Sequence, residues 1–236
     1  MLFSILRSAL SGNSVSFTDI LVRILSSLFV IFCTMPIHEY AHALASNKLG
    51  DPTARYNGRL TLNPLAHIDY LGALLILCVG FGYAKPVPVN QLNFKNPKRD
   101  MAIVAAAGPL SNLIVALAAL LLGNIVYTLF YFGVVASNTV MFMIFNFFHY
   151  VAVINISLAA FNLIPIPPLD GSRVLFALTP NRFYYSVMQY ERYISLALMI
   201  LVFAGALNVP LSYIVNALYS GVSYIAALPF KALGVA

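Results

Sequence analysis

Five consecutive residues, His38-Glu39-Tyr40-Ala41-His42, carry the most specific chemistry in this chain. Helical residues four apart point in nearly the same direction, so both imidazoles can reach one zinc ion while Glu39 stands beside them, close to a metal-bound water. The surrounding segment is apolar enough to lie in a lipid bilayer, where two histidines and a carboxylate are costly to hold. An apolar helix that carries all three marks a functional site, and the chemistry it suggests is hydrolysis within a membrane.

Two histidines leave a tetrahedral zinc one protein ligand short, because catalytic sites commonly take three and keep the fourth position for water. The acidic residues are few: Asp19, Glu39, Asp51, Asp69, Asp100, Asp170 and Glu191. Asp170 alone follows a helix expected to end at the depth of the histidine motif. The stretch before it, Asn162-Leu163-Ile164-Pro165-Ile166-Pro167-Pro168-Leu169, is rich in prolines that remove backbone donors and stop a regular helix. Such a break is tolerable in a membrane only where backbone lines a cavity or packs in protein. Asp170 also has a plainer reading, as the cap of a helix starting near Gly171.

The elements that must position these groups are transmembrane helices. Of 236 residues, 61% are hydrophobic and only 8% charged, against roughly 25% charged in an ordinary soluble domain. The net charge of +6 does not suggest nucleic acid, since the basic residues are scattered through loops between apolar runs. Lys48, Arg55, Arg59, Lys85, Lys95, Lys98, Arg99, Arg173, Arg182 and Arg192 fall in three connecting stretches, which the positive-inside rule makes cytoplasmic. Cys33 and Cys78 lie in apolar runs and read as buried free thiols.

Residues 2–10 are too short to span and read as an interfacial helix or a partial crossing, without the pattern of a signal peptide. A long helix from Ile20 to about Leu49 holds the motif in its C-terminal half, with Pro36 placed to bend it. Arg59-Leu60-Thr61-Leu62 alternates like a small β element. Tyr70 to Tyr83 is short for a crossing and basic on both flanks, which favours a re-entrant segment, and Pro86 and Pro88 hold the next stretch of chain extended. Met101 to about Phe132 runs outward and Asn138 to Leu163 returns. Tyr193 to Leu207 and Leu211 to Leu228 form a last outward and inward pair, with Lys231 inside. The expectation is an all-α polytopic bundle of about five to six transmembrane segments with a re-entrant/β element after the motif helix. It is a single domain over 1–236, with its core at about 20–175 and a C-terminal helix pair at about 190–230.

Five motifs together resemble the site-2 proteases, zinc intramembrane peptidases, in the compact form without a PDZ domain. They are His38 to His42; Gly58-Arg59-Leu60-Thr61-Leu62-Asn63-Pro64 with His67 and Asp69; Ala84-Lys85-Pro86-Val87-Pro88-Val89; Ala107-Gly108-Pro109-Leu110-Ser111-Asn112; and Asn162 through Gly171. The resemblance covers about residues 30 to 175. It implies one Zn2+ per chain on His38, His42 and Asp170, with Glu39 as general base passing a proton from water to the leaving amine. It implies Asn162 as a contact for the substrate backbone or developing oxyanion, with Asn112 as a further substrate-binding candidate. The partners implied are a transmembrane protein substrate and the bilayer. The location implied is a prokaryotic plasma membrane, with the active site nearer the cytoplasmic face.

Plainer roles stand beside these. Gly108 and Asn112, four apart, suit a close-packing helix face. His67 and Asp69 suit loop-anchoring hydrogen bonds, and His149 a satisfied interior position. Lys85 to Val89 is either a structural plug or an exposed strand edge that receives an unwound substrate. The competing function is a proton- or metal-coupled transporter using His38, Glu39, His42 and Asp170, but these cluster at one level and no inverted repeat is evident.

Overall fold

A computed structural model describes residues 16–79, 84–134, 137–231 and 234, apart from the side chains of residues 181, 185 and 203. The segment 2–10 and the end of the Tyr70 to Tyr83 run lie outside the described residues. The helices are α1 (Phe17–Phe29), α2 (Met35–Lys48), α3 (Thr53–Tyr56), α4 (Tyr70–Val79), α5 (Pro97–Tyr131), α6 (Asn138–Asn162), α7 (Asp170–Ala177), α8 (Asn181–Met188), α9 (Glu191–Phe203) and α10 (Asn208–Lys231). A wide π turn, Val30–Thr34, joins α1 to α2 without a break.

That turn sits where the sequence requires it. Pro36 lacks an N–H and its ring clashes with the carbonyl four residues back in a regular α-helix. The chain widens just upstream, and Met35 donates to Val30, five residues away, rather than to its usual partner. Pro36 therefore loosens the helix above the motif without ending it.

Among the described residues four helices are long and apolar enough to cross a membrane: Phe17–Lys48, α5, α6 and α10. The shortest has 24 residues, about 36 Å of helix against a hydrocarbon core of about 30 Å. The protein is thus an all-helical membrane bundle, as expected, with fewer spanning candidates than expected among the described residues. The expected β element is not a strand. Residues 59–62 are irregular, held by the Arg59 guanidinium donating to the Ala66 carbonyl and by His67 Nε2 donating to Thr61 at 2.8 Å.

The C-terminal pair also departs from expectation. With 13 residues, α9 is about 20 Å long and too short to cross by itself. The direction of α10 follows from its contacts. Val215, Leu218 and Val222 pack on Ala116, Ala119, Val151, Ala152 and Ile156, and farther along α5 the Asn124 amide donates to the Ala226 carbonyl at 3.1 Å. Hence α10 runs parallel to α5, and Lys231 ends remote from His38 and His42. The uncharged turn at 204–207 imitates an outer loop, but α9 is too short to cross, which leaves α10 as the crossing candidate of the pair.

The core has two parts. Val30, Ile31 and Met35 pack on Ile154 and Leu158 of α6, with Ile76 of α4 inserted and fully buried. The second part joins α5, α6 and α10. The Asp19 carboxylate on α1 is paired: Arg23 Nε donates to it at 2.8 Å, and the Tyr150 hydroxyl reaches it at 2.8 Å. Pairing is what keeps such charges tolerable at membrane depth.

Candidate zinc site

The motif histidines project from one face of α2, and Asp170 opens α7 opposite them. His38 Nε2 and His42 Nε2 are 3.1 Å apart, and Asp170 Oδ2 lies 3.5 Å from the first and 3.4 Å from the second. Donors held about 2.0–2.1 Å from one tetrahedral ion stand about 3.3–3.4 Å from one another, so the triangle has the size of a zinc face. Two imidazoles and one carboxylate are also a suitable donor set, and they converge without any rearrangement of the backbone. The capping alternative for Asp170 is not realised, because α7 carries no side-chain cap and the carboxylate faces the histidines.

Three features of the surroundings aim these groups. His42 Nδ1 donates to the Val104 carbonyl of α5 at 2.7 Å, which leaves Nε2 bare toward Asp170. Gly108, one turn farther along α5, lies directly under both rings: a Cβ there would stand 2.3 Å from His42 Nε2 and 2.6 Å from His38 Cε1. The close approach expected of Gly108 is real, but the imidazoles fill the space rather than another helix backbone. Gly171 closes the Pro-rich loop on itself, with an added Cβ falling 2.2 Å from the Leu163 carbonyl oxygen. Beyond it, Arg173 on α7 is held by Glu191 of α9 at 3.1 Å.

The triangle forms part of the wall of a cavity of about 350 Å³. Glu39 lines the same cavity, 7% exposed, and among the described residues no hydrogen bond engages its carboxylate. Asn162 and Asn112 line it too. Asn162 spends one amide hydrogen on the Leu158 carbonyl at 3.0 Å, whereas the Asn112 amide nitrogen is buried with no partner among the described residues. Asn112 and Asn162 thus line the same cavity as His38, Glu39, His42 and Asp170.

The opposite wall is an extended strap, with Ala84, Pro86, Val87 and Val89 facing the cavity. Lys85 N–H bonds the His67 carbonyl at 2.8 Å, and Asn90 N–H bonds Asp51 at 2.8 Å. Among the described residues the backbone of Val87 and Val89 has no backbone partner.

Asp51 is fully buried. Burial alone would raise its carboxyl pKa, but donors from Thr53, Asn93 and Asn90 together hold it down to about 2. A depressed carboxylate contributes stability that is present above its ordinary value of 3.8 and lost as pH falls toward the folded value. We therefore expect the wild type to lose thermal stability between about pH 4 and pH 2 by more than Asp51→Asn does. Melting curves in detergent across that window check this, and parallel curves for the two proteins would remove the assignment.

The plainer readings hold for three residues. His67 is fully buried and serves the loop. Asp69 caps α4 by accepting from Leu71 and Gly72 at 3.0 and 2.9 Å. His149 Nδ1 and the Tyr219 hydroxyl share a hydrogen bond at 3.3 Å. None of the three belongs to the zinc triangle.

A His–His–Asp triangle beside a free carboxylate, within an apolar helical bundle, defines a membrane metallohydrolase. Residues 26–207 match the model of Peptidase family M50, and the chain belongs to that family, the site-2 protease family. Similar curated proteins carry zinc-metalloprotease names. YwhC of Bacillus subtilis is 39% identical over 166 residues, 70% of this chain and 74% of its own length. MJ0611 of Methanocaldococcus jannaschii is 30% identical over 66% of this chain and 72% of its own. Rip2 of Mycolicibacterium smegmatis is 27% identical over 66% of this chain and 57% of its own. No solved structure matches significantly. The protein is a zinc metalloprotease embedded in a membrane.

Proposed function

We propose that this protease cuts peptide bonds in or near transmembrane segments of other membrane proteins. The observation that carries the reading is the placement of His38, His42, Asp170 and Glu39 in the wall of one cavity, inside a bundle of membrane-length helices. His38, His42 and Asp170 are the zinc ligands and Glu39 is the general base. When bound, zinc supplies Lewis acidity and makes water acidic enough to act as a nucleophile near neutral pH.

The chain's own residues do the rest. Glu39 lies next to the ligand His38 in sequence and its carboxylate accepts no hydrogen bond among the described residues, so it can take a proton from water and deliver it to the leaving nitrogen. Asn112 offers an amide donor that is desolvated and unpaired in the resting protein, and such a donor gains most when negative charge develops on a substrate oxygen. Asn162 contributes its remaining amide hydrogen. Val87 and Val89 of the strap, whose backbone has no backbone partner among the described residues, face an extended substrate, which must unwind because a helix shields its own peptide bonds.

Lys48, Arg55, Arg59, Lys98, Arg99 and Arg173 lie on helices and loops at the zinc end of the bundle, which the positive-inside rule assigns to the cytoplasm of a prokaryotic plasma membrane.

The test is cleavage of a single-span substrate by the purified protein in nanodiscs. Chelation should lower the rate by at least about 100-fold, the scale of a lost Lewis acid, and zinc should restore it. Product masses should place the cut within or at the edge of the span. Cleavage indifferent to chelation, or confined to soluble tails, would overturn the reading.

A further inference from the structure

Asp51 does not line the catalytic cavity, yet it is tied to two of the cavity's walls. On one side Ser46, four residues after His42 and on the same face of α2, donates to Asp51 Oδ2 at 2.9 Å. On the other side the Asn90 amide donates to Oδ2 at 2.8 Å, and Asn93 Nδ2 donates to Oδ1 at 2.7 Å. The Thr53 amide, at 3.1 Å, and the Thr53 hydroxyl complete the set on Oδ1. A carboxylate has about four lone-pair sites, so this one is fully subscribed. No cation pairs with it among the described residues. Dipoles alone hold a buried charge at the point where the strap leaves the cavity wall, which makes the arrangement sensitive to any loss of a donor.

Among the described residues, two hydrogen bonds from its backbone fasten the strap, the Lys85 amide on His67 and the Asn90 amide on Asp51. A strand whose anchoring residue slips by one position moves by about 3.3 Å and turns every side chain to the other face. We propose that Asp51 is a positioning residue that sets the register of the strap against α2, so that a paired substrate presents one particular peptide bond to His38, His42 and Glu39. This rests on the reading of the strap as the substrate's partner.

The test measures kcat, KM, zinc content and product termini for Asp51→Asn and Asn93→Ala. An asparagine at 51 replaces an acceptor oxygen by a donor, which must face the Asn90 amide or the Asn93 amide. In the Asp51→Asn variant zinc should remain at one per chain. KM should rise roughly tenfold or more, the scale of a lost bond to a charged group, and cuts should spread to neighbouring bonds. Asn93→Ala, at an exposed position, should do the same more weakly. A folded, zinc-loaded Asp51→Asn protein with wild-type KM and one wild-type cut would overturn the proposal. So would a raised KM with the cut unmoved, since that is looser binding without a change of register. If Asp51→Asn does not fold, wild-type KM and cut in Asn93→Ala overturn it.

Val87→Pro and Val89→Pro test the underlying reading separately, because each deletes a backbone donor from the strap. If neither changes KM, the strap is not the substrate's partner and both ideas fall. If either raises KM while the Asp51 and Asn93 variants behave as wild type, only the role of Asp51 falls.

Discussion

Glu39→Gln should retain one zinc per chain and lose cleavage by about 10² to 10⁴-fold, the usual contribution of a positioned general base. The side chain keeps its size and polarity, so the cavity it lines should keep its shape. It is absent from the donor triangle, so the metal should keep its ligands. What the variant loses is the ability to accept a proton, and no other free carboxylate shares that cavity apart from Asp170, which faces the histidines. Because substrate binding does not depend on that proton, the loss should fall on kcat rather than on KM. Zinc content by atomic emission and single-turnover cleavage by the same preparation decide the matter. Cleavage at the wild-type rate would end the assignment of Glu39 as base. Zinc loss would mean that Glu39 holds the metal, directly or through a neighbour.

The chemistry was legible in the sequence for a physical reason: ionisable groups are so rare in the apolar runs that each one present needs a task. His38, Glu39 and His42 share one helix, and their spacing alone sets their directions. Asp170 is 128 residues from His42, and it could be found because the chain has only seven acids and a proline-broken stretch leads into just one of them. The all-helical character followed from the same apolarity.

What escaped the sequence depends on contacts between distant segments. The Val104 carbonyl that orients His42 is backbone, and any residue type could supply it. Asp51 gave a weak local signal, an aspartate two residues before Thr53, but its bonds to Asn90 and Asn93 cross some forty residues of chain. The alternation at Arg59 to Leu62 imitated a strand, but here it places Thr61 against His67 within a loop. The direction of α10 was hidden because an uncharged turn near residue 205 looks alike whether it lies outside the membrane or within protein.

Gly108→Ala should be among the most damaging single methyl groups that can be added to this protein, and the one aimed most directly at the metal site. At an ordinary helical position the change stabilises by up to about 1 kcal/mol, because alanine loses less backbone freedom. Here the new Cβ would lie 2.3 Å from His42 Nε2, where an ordinary contact begins at 3.4 Å. His42 cannot yield easily, since its other nitrogen is bound to Val104, and His38 blocks the other direction at 2.6 Å. Either α5 moves away from α2 or the imidazoles leave the triangle by about 1 Å, a misplacement that can cost about 100-fold in rate. Zinc occupancy should fall with the rate.

Gly123→Ala on the same helix is the control. Its Cβ would meet Phe148 at 3.5 Å, an ordinary contact, so it should keep zinc, activity and stability. If both variants lost stability alike while keeping zinc, Gly108 would be a general packing position, as its spacing from Asn112 first suggests. Full zinc and full activity in Gly108→Ala would show that the imidazoles do not lie where this geometry puts them. Selective loss of zinc at 108 would tie α5, which contributes no ligand of its own, to the integrity of the metal site.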